Sequence, residues 1–146
     1  MTTKQSKIVS STVTMITLIF AALSCSSLVN ADTRSISEAL KNPLRTEGDS
    51  ARDAERKPAR VLAFLGLKPG MTVLDVMASG GWYTEVLSFA VGEKGKVYAQ
   101  NSPAFLKFRD GMYEKAISNR LAENRLPNVS RINADFDELG IDNSVD

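Results

Sequence analysis

The residues best placed to do chemistry lie in one run, Val73-Leu74-Asp75-Val76-Met77-Ala78-Ser79-Gly80-Gly81-Trp82-Tyr83-Thr84. A carboxylate, Asp75, closes a β-branched and apolar stretch, and a short loop with Gly80 and Gly81 then opens onto a segment with a helical apolar stripe. Glycine lets a backbone approach a ligand closely, and a carboxylate at such a point can hold an amine, a hydroxyl or the amides of its own loop. Spacing alone leaves two readings open. The loop binds a ligand, or Asp75 braces the turn while the glycines fit a helix against a strand.

Whole classes of chemistry are excluded. The sequence has no histidine and one cysteine, Cys25, which rules out His or Cys zinc sites, Ser-His-Asp triads and Cys-His dyads within it. No metal is expected. The formal net charge is +1. Lys4 and Lys7 stand in the leader and every acidic residue follows residue 31, so the remainder is close to neutral. Bulk electrostatics therefore give no basis for nucleic-acid binding.

The elements that must position the loop follow from periodicity. Asp53 to Gly66 reads as a helix with Pro58 in its first turn, Val61, Leu62 and Leu65 on one face, and Gly66 as its stop. Thr72 to Val76 reads as a buried strand. Tyr83, Val86, Leu87, Ala90 and Val91 form one helical stripe, closed by Gly92-Glu93-Lys94-Gly95. Lys96 to Gln100 is a second strand, and Ser102-Pro103 caps a long helix with the stripe Phe105, Phe108, Met112, Ala116, Ile117 and Leu121, in which Gly111 invites a kink. Val129 to Asn133 is a third strand leading into Asp135-Phe136-Asp137. This order predicts an α/β fold, a Rossmann-like parallel sheet with flanking helices whose strand-to-helix loops gather at the carboxyl edge.

Ahead of these elements, Lys4 and Lys7 precede an apolar stretch from Met15 to Leu23, and Val29-Asn30-Ala31 has the small-residue spacing of a cleavage site. Residues 1–31 are therefore expected to be a signal peptide and the protein to be exported, periplasmic or secreted from a bacterium. Ala22-Leu23-Ser24-Cys25 suggests the lesser alternative of a lipoprotein anchored at Cys25. Membrane association is expected only through that segment. Residues 32–52 read as a polar arm that wraps the domain or stays mobile, and 53–146 as the sheet-bearing part.

Leu67 to Thr84, with Lys68-Pro69-Gly70-Met71-Thr72 before the strand, resembles the opening of class I S-adenosylmethionine-dependent methyltransferases. Arg52 to Pro58, Gly80 to Glu85 and Val97 to Asn101 resemble segments of an exported bacterial branch of them. The resemblance runs from about Arg52 to the C-terminus and implies the N-terminal half of such a domain, apparently truncated after its third strand. It implies S-adenosylmethionine as cofactor and an unknown methyl acceptor. In that family an acid precedes a G-x-G-x-G loop. Asp75 matches the acid and Gly81 the last glycine, while Met77 and Ser79 replace the first two. The implied cofactor-binding set is Asp75, Ala78, Gly80 and Gly81 in the loop, Gln100 and Asn101 where an acid commonly holds the ribose hydroxyls, and Asp135 and Phe136 where the adenine is contacted. No catalytic residue is assigned. Two further readings stay open, an NAD-type nucleotide-binding domain and a non-catalytic exported module or remnant. An open three-strand sheet is expected to leave an edge through which copies could associate.

Overall fold

The computed structural model describes residues 32–141 and 145–146, so the expected signal peptide and Cys25 lie outside the described residues. The arm is folded onto the domain. Residues 32–39 form helix α1, which places Ile36 at the core with Leu40 just after it. Helix α2 spans Glu47–Ala51, and its N-cap Thr46 accepts a hydrogen bond from the Asp49 amide at 3.2 Å.

The single helix expected from Asp53 to Gly66 is two, α3 (Asp53–Arg56) and α4 (Pro58–Phe64), separated by Lys57 at φ 46°. Proline disfavours helical geometry in the residue before it, so the chain breaks there and restarts with Pro58 as the first residue. The break turns the helix. Leu62 and Ala63 are buried, whereas Val61, Phe64 and Leu65 face outward, not the Val61–Leu62–Leu65 face read from spacing. Gly66 stops α4 as expected, at φ 77°, with the Leu67 amide donating to the Leu62 carbonyl at 3.0 Å.

Strand β1 (Thr72–Asp75), helix α5 (Trp82–Val91), strand β2 (Lys96–Gln100), helix α6 (Pro103–Leu121) and strand β3 (Val129–Ile132) follow. The strands form one parallel sheet in the order β1-β2-β3, with Val73 beside Val97 and Val97 beside Val129. Two successive crossovers of the same hand in the same direction put α5 and α6 on one face of the sheet. Val86, Leu87, Ala90 and Val91 of α5 build the core there with Val97, Leu62, Leu67, Ile36 and Leu40. Each of the Val, Leu and Ile side chains among these contributes roughly 1.5–3 kcal/mol when fully buried.

The α5 stripe is as read, but Trp82, Thr84, Glu85 and Ser88 are buried too: Trp82 and Glu85 meet the arm, Thr84 bonds Asp75 at the end of β1, and Ser88 bonds Asn128 before β3. Helix α6 is not continuous. Phe108 (ψ 141°), Arg109 (φ 48°), Asp110 (φ 54°) and Gly111 (φ 73°) leave helical geometry, placing a sharp kink where Gly111 stands. The break shifts the helical phase. Leu106 and Ile117 are the buried residues, while Phe108 and Met112 of the expected stripe are exposed.

Along the outer edge of β1, the Asp146 amide donates to the Thr72 carbonyl at 3.0 Å, and the Thr72 amide donates to the Asp146 carboxylate at 2.6 Å. No helix among the described residues is long and apolar enough to cross a membrane.

Candidate functional site

The carboxyl edge of the sheet gathers the three loops that follow β1, β2 and β3. Asp75 ends β1, and its carboxylate accepts from the Thr84 hydroxyl of α5 at 2.6 Å. Burial pushes this carboxyl up from its ordinary range, against the pull of the Thr84 hydroxyl and backbone amide. An acid held this way ties the strand end to the first turn of α5.

The loop from Val76 to Gly81 has a regular backbone signature. Met77 (φ 54°), Ser79 (φ 55°) and Gly81 (φ 80°) are left-handed at every second position. These are the three positions that a G-x-G-x-G loop gives to glycine. Two of them are filled here by residues that pay about 1–2 kcal/mol each for that geometry. Val76 and Met77 are exposed, and Ala78 is buried.

Loop shape is enforced from β2. The Met77 amide donates to Gln100 Oε1 at 3.0 Å, the Ala78 amide to the Gln100 carbonyl at 2.8 Å, and the Ser79 amide to Asn101 Oδ1 at 2.8 Å. In return Asn101 Nδ2 donates to the Ser79 carbonyl at 3.3 Å, and Gln100 Nε2 to the Ala134 carbonyl at 2.8 Å. Both amide side chains are buried, at 0% and 1% exposure. The residues expected to meet a ribose therefore have their polar atoms committed to protein partners.

The glycines do steric work on the helix side. A Cβ on Gly81 would collide with Ile117 and the Arg120 stem, and one on Gly80 would sit 3.1 Å from the Ala116 Cβ. The second half of α6 thus packs directly on the loop, and Arg120 Nε donates to the Gly80 carbonyl at 2.8 Å. Asp135 and Phe136, just beyond Ala134, are exposed at the end of β3. The structure thereby gathers Asp75, Ala78, Gly80, Gly81, Gln100 and Asn101 at one end of the sheet, with Gln100 and Asn101 bonded to the loop, Asp75 to Thr84 and Gly80 to Arg120, and Asp135 and Phe136 open beside them. Between the β2 and β3 loops and α6 lies a cavity of about 620 Å³ lined by Pro103, Leu106, Lys107, Asp110, Gly111, Glu114 and Asn133.

Beneath the loop lies a charge network that spacing did not reveal. Glu85 is buried at 1% exposure and binds Arg120 and Arg125, with Arg45 Nε 3.6 Å away. Arg45 is itself paired with Asp53 at 2.5 Å, and Arg120 with Asp49 at 2.9 Å. Burial alone would raise the Asp49 carboxyl, but Arg120, Thr46 and Arg45 together hold it below its usual value. The indole of Trp82 donates to the Asp49 carbonyl at 3.1 Å, and Arg52 and Arg56 lie over its ring at 5.2 and 4.7 Å. Arg52 and Arg56 thus cover Trp82. The available signal was Glu85 itself, the only charge between Trp82 and Gly92.

For the S-adenosylmethionine implied by the sequence, the fit is uneven. The loop has the left-handed shape and the strand-end acid, but no free carboxylate at Gln100 or Asn101. No group of His, Cys, Asp and Glu that could hold a metal occurs among the described residues.

Comparison with known proteins joins this geometry to a family. The model for Protein-L-isoaspartate(D-aspartate) O-methyltransferase (PCMT) matches residues 19–135. Among solved structures, the chain is similar to a SAM dependent methyltransferase from Aquifex aeolicus, at 36% identity and a TM-score of 0.51, over 79% of this chain and 54% of that one. A protein-L-isoaspartate O-methyltransferase is also matched, at 26% identity and a TM-score of 0.40, over 54% of this chain and 23% of that one. No curated protein matches the sequence. The chain thus spans about half the length of the Aquifex protein. With the family model covering most of its length, the chain belongs to the protein-L-isoaspartate(D-aspartate) O-methyltransferase family.

Proposed function

We propose that the chain forms the cofactor-side part of an S-adenosylmethionine-dependent methyltransferase whose acceptor is a protein carboxylate. The observation that carries the reading is the loop after Asp75, which keeps the left-handed positions 77, 79 and 81 even where glycine is absent. The family match and the similarity to a SAM dependent methyltransferase support it. The acceptor class rests on the family's name alone.

When bound, the cofactor supplies an electrophilic methyl group on a sulfonium. Transfer of that methyl to a carboxylate would form one O–C bond, break one S–C bond and leave a neutral thioether. No proton moves, so the protein needs no base. Its task is to hold the two reactants in line and exclude water. Asp75 and the loop backbone shape one side of the site, and Asp135 and Phe136 offer a hydrogen-bonding carboxylate and an apolar ring for the adenine at the other.

The test is calorimetry on the full chain with S-adenosylhomocysteine and NAD. Binding of S-adenosylhomocysteine alone, weakened at least about tenfold by Asp75→Ala, is the expected result. Binding of NAD, or of neither, overturns the reading.

We also propose that the protein is exported, on the strength of the leader's charge and apolar pattern. N-terminal sequencing of the protein from a bacterial periplasmic fraction should then begin at Asp32. An intact Met1 in the cytoplasmic fraction would contradict this.

A further inference from the structure

We propose that Gln100 and Asn101 are positioning residues that lock Met77 to Ser79 in its left-handed shape, standing in for the missing glycines rather than holding a ribose. A non-glycine residue keeps a positive φ only where its surroundings over-determine it. Here three consecutive loop amides are taken by the end of β2, two of them by these side chains. Asn101 grips Ser79 at both its N–H and its carbonyl. Gln100 spans two loops, accepting from Met77 and donating to the Ala134 carbonyl.

The chemistry of the amide explains why no acid stands here. Each side chain must accept from one backbone group and donate to another, which an ionised carboxylate does not do. An Asp at position 101 would face the Ser79 carbonyl with a negative oxygen, and a Glu at position 100 would face that of Ala134. The two departures from the family pattern, lost glycines and a lost acid, therefore form one linked set. Relieving the backbone at Met77 or Ser79 should remove the need for the amides.

The ligand arm of this proposal rests on the methyltransferase reading, and the backbone arm does not. In the full chain, Asn101→Ala, Asn101→Asp and Gln100→Glu are made alone and on a Ser79→Gly or Met77→Gly background. Amide hydrogen exchange is read at Met77 and Ser79, and binding of S-adenosylhomocysteine and its 2′-deoxy analogue is read by calorimetry. Asn101→Ala should speed exchange at Ser79 and weaken both ligands equally, each by about tenfold. On the Ser79→Gly background the same change should cost only about threefold or less. If Asn101→Ala fails to fold, the conservative Asn101→Asp and Gln100→Glu decide by the same ratios. Unchanged exchange at Ser79 overturns the proposal. So does a loss confined to the ribose diol ligand that glycine does not repair. If the unsubstituted chain binds neither ligand, the methyltransferase reading falls, and exchange with its rescue by glycine still decides this one.

Discussion

Asp75 is a largely buried acid whose carboxylate receives its hydrogen bonds from one residue, Thr84. Its raised pKa fixes the sign of its contribution to stability. In the folded chain the proton is held more tightly than in the unfolded one, so stability falls as pH rises from the ordinary aspartate value through the folded one. At neutral pH the ionised group is therefore a cost. Asp75→Asn keeps an acceptor for Thr84 without that charge, so its urea midpoint at pH 7 should equal or exceed that of the unsubstituted chain, and the gain should shrink toward pH 4. A clear loss of stability at pH 7 would contradict burial as the dominant influence. The turn from strand to helix at Asp75, Gly80 and Gly81 was legible in the sequence, and of the two uses that spacing left open the contacts present are those of bracing and packing, Asp75 on Thr84 and the glycines under α6. The left-handed Met77 and Ser79 were not legible, since neither residue type favours that geometry. Nor was the occupancy of Gln100 and Asn101, which depends on which backbone groups the fold delivers to them.

Helix α6 shows how local preference and tertiary structure separate. Helix propensity alone says that alanine at position 111 should gain about 1 kcal/mol over glycine. The structure reverses the sign, because Gly111 sits at φ 73° inside the kink, where a Cβ costs about 1–2 kcal/mol. Gly111→Ala should therefore destabilise the chain by about 1 kcal/mol in urea unfolding, and stabilisation would show that the kink is not held in solution. The break was foreseen from Gly111, but the buried residues were not, since a continuous stripe from Phe105 to Leu121 assumes one phase throughout. The same happened at Pro58, where the phase of α4 restarts and moves burial to Leu62 and Ala63. Helix α5, which contains neither interruption, was read with its stripe intact. Strands β1 and β2 were legible from their short apolar runs between turns, and β3, with Ser130 and Arg131 inside it, from its place after the Pro127-Asn128 turn.

Across the molecule, Glu85 is the point where three separated segments meet. Arg45 comes from the arm, Glu85 from α5, and Arg120 and Arg125 from the far end of α6 and the turn after it. Removing the shared carboxylate strips Arg125 of its acidic partner and leaves Arg45 and Arg120 with Asp53 and Asp49 alone; a fully buried guanidinium that loses its partner costs about 3–5 kcal/mol. Arg120 and Arg125 retain some solvent access, so Glu85→Ala should lie near 3 kcal/mol, read as a shift in urea midpoint at constant slope. A cost below about 1 kcal/mol would mean that the arginines find water instead. The network also orders events in time. Arg125 stands 81 positions after Leu44, whose carbonyl it caps at 2.7 Å. A chain made from its N-terminus therefore releases the arm long before its anchoring arginines exist. The arm is the first of the described segments to be synthesised and among the last to be secured. Until the turn after α6 has emerged, Glu85 lacks Arg120 and Arg125 and has only Arg45 to offset its charge, leaving a half-compensated acid on the face that the finished protein buries.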